Sequence, residues 1–318
     1  MAEIKLVENT SEIGAGTRGA SLGIGALKVA AQNSNSGYFG KYEIFEIENE
    51  NDLLNEDNWY LTAKHIDGIV NVYQRTADVV SMILSNGDFP LVLAGDHSSA
   101  GGTIAGIKQQ YPDKRLGVIW VDAHADLHTP YTTPSGNIHG MPLATAIGTD
   151  NLKNKQNDPK PETIEFWNKL KLIGGITPKI HPDDLVFIGV RDTEDPENAL
   201  IDEHGIKNYE VEELRRLGAV KVAEEIKDKL QECDLVYVSF DVDSMDCDLV
   251  SRGTGTPVEN GLTPEEADEL MNIFAAWRKV ACIEVVEINP CLDNKINLMA
   301  ETACGILENF TQKIEKRL

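Results

Sequence analysis

The stretch LGVIWVDAHAD (residues 116–126) decides how this chain is read. Leu116–Val121 is continuously apolar and rich in β-branched side chains. A run that does not alternate marks a strand covered on both faces. The residues that follow place Asp122, His124 and Asp126 two positions apart. In an extended segment such residues point the same way, so all three can converge on one locus.

Similar runs recur along the chain: Tyr42–Ile47, Leu91–Ala94, Leu185–Val190, Leu235–Phe240 and Ala281–Val286. Longer amphipathic segments lie between or beyond them, at His65–Leu84, Ser99–Gln110, Val211–Gln231, Pro264–Lys279 and Asn297–Lys316. Alternation of this kind predicts an α/β fold, a central and mostly parallel sheet with helices on both faces. Thr263-Pro264-Glu265-Glu266 gives one marked helix start, with a capping Thr, a proline at the first helical position and a Glu three residues after the cap. No repeat, low-complexity tract or Pro/Gly/Ser linker divides the chain, so residues 1–318 are expected to form a single domain. The polar stretch Asn151–Pro161 reads as a surface loop.

Composition narrows the function. The chain has 29 Lys and Arg against 52 Asp and Glu, a net charge of −23. That balance argues against nucleic acid, which must be neutralised by basic groups, and against an anionic membrane surface. No apolar run approaches the roughly 20 residues of a membrane helix. The N-terminus has no basic region followed by an apolar one, so a cytoplasmic protein is expected. Five cysteines without a CxxC pair suggest buried reduced thiols and not a disulfide framework or a thiolate metal site. The segment GAGTRG (14–19) matches a dinucleotide fingerprint in spacing alone. It follows no strand directly and the next acidic residue is Glu43, so it is read as a glycine-rich turn.

In open α/β sheets, function gathers at the carboxyl ends of the strands. There Leu91–Ala94 runs into Gly95-Asp96-His97-Ser98, and Leu235–Phe240 runs into Asp241-Val242-Asp243. A single Asp or His at a strand end is usually a turn or helix cap. Here, however, four of the seven histidines fall between His97 and His139, and no Lys or Arg lies between Asp122 and Pro134. Carboxylates gathered so closely repel one another unless a cation sits among them, and a metal supplies it. The ligand set is His97, Asp122, His124, Asp126, Asp241 and Asp243. Two imidazoles with four carboxylates suit neither a soft metal nor an all-oxygen cage, and they exceed the three protein ligands usual for catalytic zinc. Two ions sharing bridging carboxylates use them all. Mn²⁺ fits best, with Co²⁺, Fe²⁺ and Zn²⁺ as alternatives. Such a pair lowers the pKa of a shared water toward neutrality, which implies hydrolysis.

At these residues the chain resembles the arginase (ureohydrolase) family. The resemblance runs in order through Gly95–Ser98, Asp122–Asp126, Ser135-Gly136-Asn137-Ile138-His139-Gly140, Ser239–Asp243, Gly255-Thr256-Pro257 and Glu287-Ile288-Asn289-Pro290. It implies a three-layer sandwich of the arginase and deacetylase kind and two Mn²⁺ ions per subunit. His97, Asp122, Asp126 and Asp241 would hold one ion. Asp122, His124, Asp241 and Asp243 would hold the other, with Asp122 and Asp241 bridging. A bridging hydroxide would attack the guanidinium carbon of L-arginine and release L-ornithine and urea. By the same resemblance Asp126 assists the proton, His139 shuttles it to solvent and Glu287 pairs with the guanidinium. Thr133, Ser135 and Asn137 would gather around the α-carboxylate, Glu194 (or its neighbour Asp195) would hold the α-amino group, and Thr256 lies near the guanidinium. His128 stands where arginases usually carry an Asn that contacts the carboxylate. The resemblance also implies a trimer or hexamer of identical subunits. The alternatives are agmatinase, guanidinobutyrase and formimidoylglutamase, which share the mechanism. A single-zinc deacetylase needs fewer ligands, and an inactive relative should have lost some.

Overall fold

The apolar runs become strands of one sheet in a computed structural model that describes residues 2–318. The sheet contains β1 (Ile4–Asn9), β2 (Glu43–Ile47), β3 (Phe89–Ala94), β4 (Leu116–Val121), β5 (Leu185–Ile188), β6 (Lys207–Tyr209), β7 (Leu235–Asp241) and β8 (Val280–Val286). They lie in the order β2-β1-β3-β8-β7-β4-β5-β6. Every pairing is parallel. The fold is therefore the expected three-layer α/β architecture, with every described strand pair parallel.

Among the described residues ten α-helices surround the sheet: α1 (Gly23–Asn33), α2 (Ile66–Ser85), α3 (Ser99–Gln110), α4 (Pro142–Ile147), α5 (Pro161–Leu172), α6 (Asp195–His204), α7 (Val211–Leu217), α8 (Ala219–Lys229), α9 (Pro264–Ala275) and α10 (Leu298–Arg317). One apolar layer joins α1, α8, α9 and α10 to one face of the strands. On the other face Ile83, Ile104, Leu143 and Leu200, from α2, α3, α4 and α6, pack on Val92, Trp120 and Phe187. Central strands β3 and β4 are buried at every residue, which is why their sequence does not alternate. The α9 cap forms as read: Thr263 Oγ1 accepts from Glu266 N, and Glu266 Oε2 accepts from Thr263 N.

Some elements depart from the sequence reading. β1 and the three-residue β6 have no counterpart among the apolar runs, β1 because Lys5 and Glu8 interrupt its apolar residues and β6 because Lys207-Asn208 is polar. In the fold Lys5 pairs with Glu3 and Glu43, and the buried Glu8 pairs with Lys28. The segment read as one helix over Val211–Gln231 is two, α7 and α8, broken at Gly218 with φ 84° and ψ 148°. Residues between Asn151 and Pro161 form a short turn and irregular chain, as expected of a loop. Four cysteines are buried free thiols, but Cys291 is exposed, so the expectation of burial fails at that one position. Among the described residues no helix is long and apolar enough to cross a membrane.

Candidate active site

Four neighbouring strands, β3, β8, β7 and β4, end at one cavity. Three of them end in the same local turn. Asp96 Oδ1 accepts from Ser98 N at 2.9 Å, Asp122 Oδ1 from His124 N at 2.7 Å and Asp241 Oδ1 from Asp243 N at 2.8 Å. A short carboxylate that accepts from the amide two residues on bends the chain as it leaves the strand. In Asp122 and Asp241 this leaves the second oxygen free to point elsewhere.

Those oxygens converge on His97. Its Nδ1 lies 3.0 Å from Asp122 Oδ2, 3.1 Å from Asp241 Oδ2 and 3.2 Å from Asp126 Oδ2. The ring is locked from its other sides: Nε2 meets Ser239 Oγ at 2.7 Å, and the imidazole stacks on Trp120 with centroids 4.0 Å apart. With Nε2–H donating to Ser239, the Nδ1 lone pair faces three carboxylates. His97 Nδ1 and Asp122 Oδ2 are both buried without a hydrogen-bond partner. That is the donor set of a divalent cation.

A second group adjoins the first. His124 Nδ1 is 3.1 Å from Asp243 Oδ2 and 3.5 Å from Asp122 Oδ1. Asp243 is oriented by Ala123 N and by the Thr256 hydroxyl, which donates to its Oδ2 at 3.0 Å. Ligand atoms of His97, Asp122 and Asp126 cluster closely, as do those of Asp122, His124 and Asp243. Asp122 thus belongs to both groups, one oxygen to each. Asp241 reaches the His97 group through Oδ2, while its Oδ1 is occupied by the Asp243 amide.

The electrostatics fit. Burial, followed by the neighbouring Asp243 and Asp122, holds the Asp241 carboxyl well above its usual range. Asp126 is raised by burial and by Asp122. Burial opposes charge on His97, yet the three surrounding carboxylates prevail and hold its imidazole well above the ordinary value. Without metal, the cluster retains protons that a pair of divalent ions would displace.

Beside the two groups, Glu287 follows β8. Its Oε1 accepts from His97 N at 2.9 Å and meets His139 Nδ1 at 3.1 Å. Its Oε2 is buried without a partner. Burial resists the Glu287 charge, but His139 keeps its carboxyl below the normal value. Burial also resists charge on His139, and Glu287 outweighs it, raising that imidazole to about 9. Glu287 and Asp126 both hold left-handed backbone, φ 67° and 50°, a costly conformation for residues other than glycine.

The remaining sequence candidates line the same cavity of about 250 Å³: His128, Thr133, Ser135, Asn137, Glu194 and Thr256. Glu194 rather than Asp195 faces it. His128 is nearly buried, and its Nε2 lies 2.8 Å from Glu194 Oε2 and 3.4 Å from Glu197 Oε2. Burial disfavours the His128 charge, but Glu194 and Glu197 raise its pKa above normal. Arg252 pairs with Asp248 and Glu259 on the surface.

Several participants escaped the sequence reading. Glu197 is buried at the start of α6, accepts from Leu127 N and is pushed up to about 7, mainly by burial. Its signal was available, since an acidic residue three positions after Glu194 fits a capping box. Asp192 approaches His124 Nε2 at 3.6 Å. Trp120 lies inside a strand run with no functional signal, and Ser239, though it opens the Ser239–Asp243 block, carries no sign in the sequence that it fixes His97. Arg191 donates to the carbonyls of Gly189, Asp243, Ser244, Val258 and Glu259, tying the turns after β5 and β7 together.

A model of the Arginase family matches residues 5–311. The chain is 34% identical to the arginase of Bacillus subtilis (strain 168) over 313 residues, 98% of each protein. It is 40% identical to the arginase of Bacillus caldovelox over 253 residues, 79% of this chain and 78% of that one. The native structure of the Bacillus caldovelox arginase at pH 5.6 superposes with a TM-score of 0.80 at 34% identity, covering 98% of both chains.

Proposed function

Since this chain belongs to the arginase family, we infer that its cavity is an arginine-cleaving active site. The chain is an amidinohydrolase that converts L-arginine and water to L-ornithine and urea. The observation that carries this reading is the pairing of two kinds of unmet demand: clustered carboxylate and imidazole ligand atoms, with His97 Nδ1 and Asp122 Oδ2 buried without a hydrogen-bond partner, and a buried Glu287 oxygen without a donor.

His97, Asp122, Asp126 and Asp241 would hold one divalent ion, and Asp122, His124, Asp241 and Asp243 the other. When bound, the two ions supply a water of lowered pKa and positive charge near the reacting carbon. Glu287 Oε2 accepts from the guanidinium, whose forked N–H groups suit a carboxylate, and so holds the carbon over the ligand cluster. Asp126 takes the proton given up by the attacking water. His139, held by Glu287 through Nδ1, uses its other ring nitrogen to move a proton between the site and solvent. Thr256 steadies Asp243. Thr133, Ser135, Asn137 and His128 would face the α-carboxylate while Glu194 faces the α-amino group. Seven carboxylates line the cavity, which favours a cationic substrate.

Manganese is the proposed metal, on the mixed imidazole and carboxylate ligand set. We take residues 1–318 as one catalytic domain, supported by β1 lying inside the same sheet as β8. Self-association into a trimer or hexamer is part of the proposal. It is supported by the exposed apolar side chains Leu249, Leu292 and Ile296, which fall in neighbouring segments tied by Lys295 to the Leu249 carbonyl. Size-exclusion chromatography with light scattering checks it. A cytoplasmic location is likewise proposed. The deciding experiment measures urea released from L-arginine, agmatine, 4-guanidinobutyrate and formiminoglutamate by the Mn²⁺-loaded protein. Arginine is expected to be preferred, and faster turnover of agmatine would overturn the substrate assignment.

A further inference from the structure

The cavity poses a problem of charge. Seven carboxylates line it, and among the described residues lining it there is no lysine or arginine. An arginine substrate must bring its own carboxylate into these surroundings, whereas agmatine brings none. The loop expected to receive that carboxylate offers the neutral groups of Thr133, Ser135 and Asn137, and the nearby His128 imidazole is already engaged by Glu194 and Glu197. Two bound ions would offset the ligand carboxylates, but Asp192, Glu194, Glu197 and Glu287 are not among those ligands, so a further positive charge beside the loop would favour the substrate that carries a carboxylate.

One cation is fastened to that loop from behind. Lys64 lies just before α2, and its backbone N–H donates to Gly136 O at 2.7 Å. Its Nζ donates to Asn137 Oδ1 at 3.0 Å. Lys64 therefore grips two successive residues of the loop. Among the described residues no carboxylate pairs with it, in a chain with 52 acidic residues. The bond also fixes the Asn137 amide. An ammonium can only donate, so Oδ1 turns to Lys64 and the Nδ2 donors are left for another acceptor. The glycine-rich turn leaves room for this arrangement, because a Cβ on Gly16 would stand 2.5 Å from Asn137 Nδ2.

We propose that Lys64 is the positioning residue that makes this acidic cavity prefer a substrate with an α-carboxylate, by orienting the Asn137 amide and placing an uncancelled positive charge behind it. The proposal rests on the arginine-cleaving reading above.

The test is steady-state kinetics of the Mn²⁺-loaded Lys64→Met and Lys64→Arg proteins on arginine and agmatine, with metal content and melting temperature recorded. Loss of a charge-assisted contact should raise KM for arginine about 10-fold in Lys64→Met, with kcat within about 2-fold. Agmatine should lose far less, so the preference for arginine shrinks. Lys64→Arg should restore most of it. Should Lys64→Met melt early, Lys64→Gln carries the same expectation. Equal losses on the two substrates, a fall in kcat with KM unmoved, or no change at all would overturn the role of Lys64 while leaving the arginase reading intact. A wild-type protein that prefers agmatine would overturn both.

Discussion

Ser239 shows how much a single unremarkable side chain decides. It sits in the middle of a fully buried strand segment, yet its hydroxyl holds His97 Nε2 and so aims Nδ1 at three carboxylates. Groups that orient a metal ligand typically contribute 10–100-fold to metal affinity. Ser239→Ala should weaken Mn²⁺ binding by about that range, measured by metal titration, while the fold remains. Unchanged affinity would mean that Trp120 stacking alone orients the ring. The His139–Glu287 pair gives a prediction in pH. His139 is raised to about 9 in the folded chain, above the imidazole value of about 6.5. A raised imidazole contributes its full stability below its unfolded pKa and loses it as pH rises through its folded one. In metal-free protein the melting-temperature gap between wild type and His139→Asn should therefore be largest near pH 6 and close between about pH 7 and 10. A gap independent of pH would show that the ion pair adds nothing.

At the scale of elements, the strand ends at the site are legible because burial on both faces removes alternation, and because β3, β4 and β7 each run into the same aspartate turn. Helix continuity was less legible. The amphipathic pattern runs on through Val211–Gln231, since both α7 and α8 pack apolar residues on the same layer. Only the backbone at Gly218, in a region that side chains avoid, separates them. Gly218→Ala should cost about 1–3 kcal/mol despite the open space around its Cα, seen as a lower denaturation midpoint at unchanged activity. A neutral substitution would show that the break can relax into a continuous helix. β1 was missed for a different reason. Its charges are matched by Glu3, Glu43 and Lys28, partners whose nearness depends on the sheet order.

For the molecule as a whole, the net charge of −23 is accompanied by a local crowding of seven carboxylates around one cavity at the end of the sheet. Bound divalent ions offset that repulsion, so metal binding and folding are coupled. A ligand present at 1,000 times its Kd stabilises by about 4 kcal/mol, and a chain of this size melts roughly 10 °C lower when it is removed. Exhaustive chelation should produce a shift of that order in a thermal melt, and added Mn²⁺ should reverse it. A melt insensitive to chelator would contradict a metal cluster built from these side chains.

The order of residues alone determined the fold class, the strand ends and the identity of the candidate ligands. Those features are local: a continuously apolar run, a turn-forming Asp, a repeat of two. Only the tertiary structure decided that Asp122 gives one oxygen to each group and that Glu287 keeps one oxygen free. The same holds for His128 turning to Glu194 and Glu197, and for Lys64 standing behind Asn137. Each depends on which strands lie side by side and on where loops distant in sequence cross, and no spacing along the chain records that.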